Sequence, residues 1–209
     1  MKYTDLEGLS LSGVNERIRA CVDCPLAVGR TMAVPGEGPE SAALMFIGEG
    51  PGADEDQSGQ PFVGKAGELL GKILQAAGFE RSQVFITNTV KCRPPNNRDP
   101  SKEELDCCWP YLLRQIELVK PRLIGSLGRI AGGYLLSSDK FSITKEHGRI
   151  FSFSNDTLLM PLYHPSYLLR SDSREKGSPK HQMWDDMKKL RKLYDELTAG
   201  AKFTGESSQ

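Results

Sequence analysis

The sequence has no apolar run near the ~20 residues that a membrane helix needs. Its first residues, MKYTDLEGLSLSG, hold no apolar signal core. An excess of charge of one sign is also missing, since 27 Lys+Arg stand against 27 Asp+Glu. That excludes a histone-like binder that coats nucleic acid by net charge, although a neutral molecule can still carry a local basic cleft. Internal repeats, long low-complexity linkers and a second Cys-x-x-Cys pair are absent too. The expectation is a soluble, intracellular, cytoplasmic protein that contacts no membrane. What is present, 209 residues of which 38% are hydrophobic, suffices for one domain with a real core. The five cysteines are odd in number, and Cys21 and Cys24 are spaced as Cys-x-x-Cys. In a reducing compartment that points to metal, cluster or redox chemistry before a disulfide framework.

Strand and helix patterns alternate along the chain. The apolar run ALMFIG at 43–48 reads as a buried strand, and 62–79 carries helical spacing with Gly78 at the C-cap. QVFITNTV at 83–90 is β-branched and reads as a second strand, with Asn88 as its polar exception. The Pro-rich loop 92–100 follows. Ser101 then caps a helix to about Val119, with Glu104 three residues on. RLIGSL at 122–127 is a third strand, 128–136 a short helix, and 149–153 and 157–163 two extended runs around a turn. A charged amphipathic helix at 181–197 sets Trp184, Met187, Leu190 and Tyr194 on one side. The alternation argues for a parallel α/β sheet wrapped on both faces.

In such sheets the site lies beyond the carboxyl ends of the strands. Three segments arrive there: Gly48–Gly52 after the first strand, Asn88 at the end of the second, and His164-Pro165-Ser166 after the last. The glycine-rich segment lacks the Gly-Lys-Ser/Thr ending of a Walker loop and does not fit the dinucleotide fingerprint. Its acidic continuation, Asp54, Glu55 and Asp56, would repel a phosphate. His147 and His181 have no comparable setting and read as surface residues. Taken alone, the glycines can be a turn, Asn88 a backbone-satisfying amide, and His164 a structural histidine. The cysteines can be buried core thiols, a zinc site, or the four ligands of an iron–sulfur site, which tolerates wider spacing.

Four segments together, EGPGADED at 49–56, GQPFVGKAG at 59–67, TNTVKCRPP at 87–95 and HPSYLLR at 164–170, resemble the family 4 uracil-DNA glycosylases. The resemblance implies a single-domain α/β three-layer sandwich on a mainly parallel four-stranded sheet. It would span 1–197, including a cluster-binding N-terminal segment, with a disordered tail at 198–209. It implies a [4Fe–4S] cluster on Cys21, Cys24, Cys92 and Cys108, structural rather than redox-active, with Cys107 as the spare. The implied reaction is hydrolysis of the uracil N-glycosidic bond in DNA by a monofunctional enzyme that leaves an abasic site. No lysine stands out as a Schiff-base nucleophile. The loop 93–100 lacks the basic insertion with an embedded histidine found in relatives that trap DNA covalently, so turnover is expected.

By the same resemblance Phe62 stacks on the flipped base, Asn88 reads its edge, and His164 donates to uracil O2 as negative charge grows there. Backbone groups of Glu49 and Gly50 hold the base, and Glu55 lies near the sugar or the water. Gly50 stands where other glycosylase families carry a water-activating aspartate. Leu168 and Leu169 are candidate wedges for the vacated stack, although either also suits a helix core. Ser166, Arg170 and Arg93, with Lys91 beside it, are candidates for backbone contacts. The expected partner is uracil-containing DNA, bound by a monomer; the sequence assigns no sliding-clamp partner. The rival readings are an iron–sulfur or zinc module that binds nucleic acid without cutting it, and a small nucleotide-binding α/β protein.

Overall fold

The run LMFIG at 44–48 has no polar face, so a strand there must be covered on both sides. A computed structural model, which describes residues 3–171 and 173–200, shows how. The elements in chain order are α1 (Leu11–Ala20), α2 (Leu26–Gly29), β1 (Leu44–Gly48), α3 (Ala53–Ser58), α4 (Lys65–Ala76), β2 (Phe85–Asn88), α5 (Lys102–Val119), β3 (Leu123–Leu127), α6 (Gly128–Leu135), α7 (Ile143–Glu146), β4 (Phe151–Ser154), β5 (Thr157–Leu162), α8 (Pro165–Leu169) and α9 (Pro179–Thr198). Among the described residues the strands form one sheet in the order β2-β1-β3-β5-β4. Neighbours are parallel except β4, which pairs antiparallel with β5 at one edge.

Alternation along each strand assigns the two faces. Leu44 and Phe46 face a cluster with Leu70 and Leu74 of α4 and Met183, Met187, Leu190 and Leu193 of α9. Met45 and Ile47 face Leu112, Ile116 and Val119 of α5 and Leu135 of α6. Fully burying one such side chain contributes about 1.5–3 kcal/mol, so each face is held by several independent anchors. Gly125 of β3 lets Phe46 lie flat, because a Cβ there would stand 2.7 Å from the ring. A third cluster joins Val14 and Ile18 of α1 to Val90, Cys92, Leu105, Cys108 and Tyr111, fastening the N-terminal segment to the loop after β2 and to α5.

Several expectations need correction. The sheet has five strands rather than four, because the hairpin's first arm, β4, completes it. The helix expected from residue 62 starts at Lys65; Phe62–Gly64 instead form the loop that enters it. Gly78, by contrast, ends that helix as expected, in the left-handed conformation at φ +79° directly after Ala77. Trp184 is 40% exposed, and Met183 and Asp186 take inward positions on α9. His147 is not a surface residue: it is half-buried, with Nδ1 2.7 Å from the Asp186 carboxylate. The capping box of α5 forms as expected: Ser101 Oγ accepts from Glu104 N–H at 3.3 Å, and the Glu104 carboxylate accepts from Ser101 N–H at 2.8 Å. The tail expected at 198–209 overlaps α9 at Thr198, and residues 201–209 lie outside those described.

Candidate active site

The carboxyl ends of β1, β2 and β5 open into a cleft of about 700 Å3, lined by Glu49, Gly50, Phe62, Asn88, His164 and Arg170 among others. The parallel register sets Gly48 beside Asn88. The pairing continues past the strands: Thr89 N–H donates to Gly48 O at 2.9 Å, and the Thr89 hydroxyl donates to Glu49 O at 2.5 Å. Gly48 is required by close approach, because a Cβ there would overlap Asn88 Oδ1 and come within 2.6 Å of Phe62 Cζ. Asn88 is 1% exposed, and its Oδ1 has no hydrogen-bond partner among the described residues. A buried acceptor left open at a cleft floor is suited to a ligand N–H, since leaving it unmet costs free energy.

Phe62 sits at φ +52°, a left-handed conformation that costs a non-glycine residue roughly 1–3 kcal/mol. Glu55 holds it there. One carboxylate oxygen accepts from Val63 N–H and Gly64 N–H, both at 2.9 Å, and the other accepts from Gly52 N–H at 3.0 Å. Glu55 also lines the cleft. Its carboxylate is occupied by three backbone donors, and it shapes the site by fixing the loops that carry Gly50 and Phe62. The Phe62 ring lies 5.8 Å from the His164 imidazole, tilted by 36°.

His164 caps α8. Its Nδ1 accepts from Ser166 N–H at 3.1 Å and lies 2.8 Å from Ser166 Oγ. A backbone N–H can only donate, so the imidazole proton belongs on Nε2. Burial first, and then Arg170, push its pKa down to about 4, while Glu55 pulls the other way. At neutral pH His164 is thus a neutral ring whose free N–H is a donor. Glu49 moves oppositely: burial, reinforced by Asp99 and opposed by Arg129, pushes its carboxyl up to about 7. Asp99 and Arg129 themselves pair at 2.5 Å and line the same cleft.

The family sequence model of the uracil DNA glycosylase superfamily matches residues 35–188, a span that carries this cleft. The chain belongs to that superfamily. A type-4 uracil-DNA glycosylase of Thermotoga maritima is 46% identical over 162 residues, covering 78% of this chain and 84% of the relative. One from Sulfurisphaera tokodaii is 44% identical over 191 residues, covering 88% and 84%. One from Archaeoglobus fulgidus is 39% identical over 191 residues, covering 88% and 93%.

In this superfamily member the segment after His164 divides differently from the sequence expectation. Leu168 is 1% exposed and packs in the core, so it is no wedge; Leu169, 45% exposed, remains free to meet DNA. Tyr167, in the segment expected to grip DNA, is exposed, stacks on Tyr163 at 5.5 Å and carries Arg170 over its ring at 5.9 Å. Ser166 serves His164 rather than the solvent. Arg93 is half-buried, its Nε donating to Asn97 Oδ1 at 2.8 Å in the loop that forms one wall.

Cys21, at the end of α1, and Cys24, before α2, pack against the cluster that contains Cys92 and Cys108. Arg30 donates to Cys92 Sγ at 2.9 Å. Burial pushes the Cys108 thiol up to about 12 and raises Cys92 as well. Such thiols ionise only when a strong cationic charge compensates them. Cys107 is half-buried and its Sγ turns to Asp23 O at 3.4 Å. Among the described residues no three Cys, His, Asp or Glu side chains close around a single metal ion. Cys21, Cys24, Cys92 and Cys108 thus share one region of the fold, between α1, the loop after β2 and α5.

Proposed function

We propose that this protein is a monofunctional uracil-DNA glycosylase of DNA repair, and that its neutral His164 is the group that stabilises the departing base. The observation that carries the reading is the Nδ1 contact to Ser166 N–H, which leaves Nε2–H as a donor in a cleft that also holds Phe62 and Asn88. A uracil taken out of the stack lies against Phe62. Asn88 Nδ2–H donates to O4, and the open Oδ1 accepts from N3–H. Cytosine presents the opposite pair at that edge.

As the C1′–N1 bond breaks, its electron pair passes to the uracil ring and negative charge builds at O2. The His164 Nε2–H stabilises that charge in the transition state more than in the substrate. Water adds to C1′, and its proton passes to Glu49, whose raised pKa suits a base at neutral pH. The products are a uracil anion and an abasic sugar. Lys65 stands on the exposed rim and takes no covalent part. Leu169 and Arg170 face the DNA.

Cys21, Cys24, Cys92 and Cys108 would hold a [4Fe–4S] cluster, which supplies a cross-link between the N-terminal segment, the loop after β2 and α5. Among the described residues no helix is long and apolar enough to cross a membrane. The five free cysteines suit a reducing cytoplasm, where the enzyme acts as a monomer. The test is a uracil-containing oligonucleotide incubated with the protein and then treated with alkali. Breaks confined to uracil positions support the assignment; intact strands from cluster-loaded protein overturn it.

A further inference from the structure

β2 is an edge strand, laddered to β1 on one side only. Its outer side is met in two places. Ile86 exchanges both backbone hydrogen bonds with Glu37, N–H to O at 2.8 Å and 2.9 Å. Two residues on, the outward carbonyl is that of Asn88, and the group that meets it is Lys91 Nζ, at 2.8 Å. The same nitrogen donates to Thr87 Oγ1 at 2.6 Å and to Gln115 Oε1 at 2.7 Å. Lys91 is 1% exposed.

Hydrogen counting identifies the direction of each bond. The Thr87 hydroxyl gives its own hydrogen to Pro35 O at 2.7 Å. Gln115 Nε2 donates to Pro35 O at 2.9 Å and to Asn15 Oδ1 at 3.0 Å. All three neighbours therefore turn oxygens toward Lys91 Nζ, which is their common donor. The anchors around this buried nitrogen come from β2, α5, α1 and the segment around Pro35.

We propose that Lys91 is a positioning residue for base selection: its buried three-bond anchorage fixes the end of edge strand β2, so that the Asn88 amide stands against Gly48 and Phe62 where a flipped base arrives. This rests on the reading of Asn88 as the edge reader in a uracil glycosylase. The inner side of this strand end is held to β1 by Thr89 N–H to Gly48 O, while on the outer side the Asn88 carbonyl is met by Lys91. Movement of about 1 Å at a positioning group can cost a hundredfold in rate.

The test is a double-mutant cycle on the full chain with its cluster, read by single-turnover excision under saturating enzyme, which does not depend on the fraction of active protein. Lys91→Met should lower the excision rate constant about tenfold to a hundredfold, while affinity for a duplex containing an abasic-site analogue changes less than about twofold. In an Asn88→Ala background the same substitution should change the rate less than about twofold, because the residue through which it acts is gone. Gln115→Met, which removes one acceptor and keeps Lys91, should show a smaller loss that likewise vanishes in the Asn88→Ala background. Iron content and circular dichroism report folding and cluster retention. If Lys91→Met does not fold, Gln115→Met alone decides. Losses that multiply with Asn88→Ala, or a folded Lys91→Met enzyme with the wild-type rate, overturn the proposal. A wild-type protein that excises no uracil overturns the glycosylase reading itself, a result separate from either.

Discussion

Replacing His164 by alanine removes the donor on which the proposed mechanism depends most. Because Nδ1 is tied to Ser166 N–H, the only donor the ring offers the cleft is Nε2–H; the substitution removes that donor together with the acceptor that caps Ser166 N–H. Removing one preorganised donor at a developing anion costs about 2.7–4 kcal/mol, or roughly a hundredfold to a thousandfold in rate. The assay is single-turnover excision from a uracil oligonucleotide, with iron content and circular dichroism as folding checks. The wild-type rate should show no fall as pH rises through 6.5, because the ring titrates at about 4 and is already neutral there. Stability supplies a second readout. Above pH 6.5 neither the folded nor the unfolded chain protonates this residue. Between 6.5 and about 4 the unfolded chain takes the proton and the folded one does not, so stability falls as pH falls. The total is roughly 3 kcal/mol from the difference between those two values. His164→Ala should flatten that part of the stability–pH curve. Near-normal excision by a folded variant, or a wild-type rate that requires a protonated histidine near pH 6.5, refutes the assignment and moves the role to backbone donors near Gly50.

Glu49→Gln should cost about a hundredfold at neutral pH and abolish a rise in wild-type rate through about pH 7, where the Glu49 carboxyl ionises; a rise that persists in the variant assigns the water to another group. Glu55→Gln leaves one oxygen for two of its three backbone donors, so thermal unfolding should show a loss of about 1–3 kcal/mol, accompanied by slower excision as the Phe62 loop relaxes; unchanged stability would contradict the loop-fixing role. Cys108→Ser should lose iron and sulfide while Cys107→Ser retains both, as read by metal and sulfide analysis, and the reverse outcome reassigns the ligand. Leu168→Ala should destabilise by about 2–5 kcal/mol as a core truncation, whereas Leu169→Ala should leave the unfolding midpoint in place and weaken excision from duplex DNA; equal effects on stability would contradict their opposite burial.

Local chemistry determined a great deal by itself. Continuous apolar runs are buried on both sides only in a covered sheet, so ALMFIG and RLIGSL already read as strands, and a Ser101–Glu104 box needs no tertiary partner to start α5. The convergence of Gly48–Gly52, Asn88 and His164 on one rim also followed from the sequence, because parallel strands send their carboxyl ends the same way. Side-chain duties were another matter, since they depend on which partners arrive from distant segments. Glu55 belonged to an acidic run, and only the return of Val63 and Gly64 turned its carboxylate into a loop clamp. Leu168 and Leu169 are chemically identical neighbours, and the short helix α8 decided which one faces the core. Lys91 read as a surface cation beside Arg93. Its burial under Gln115 and Thr87 exists because α5 closes over an edge strand whose last carbonyl is met by Lys91.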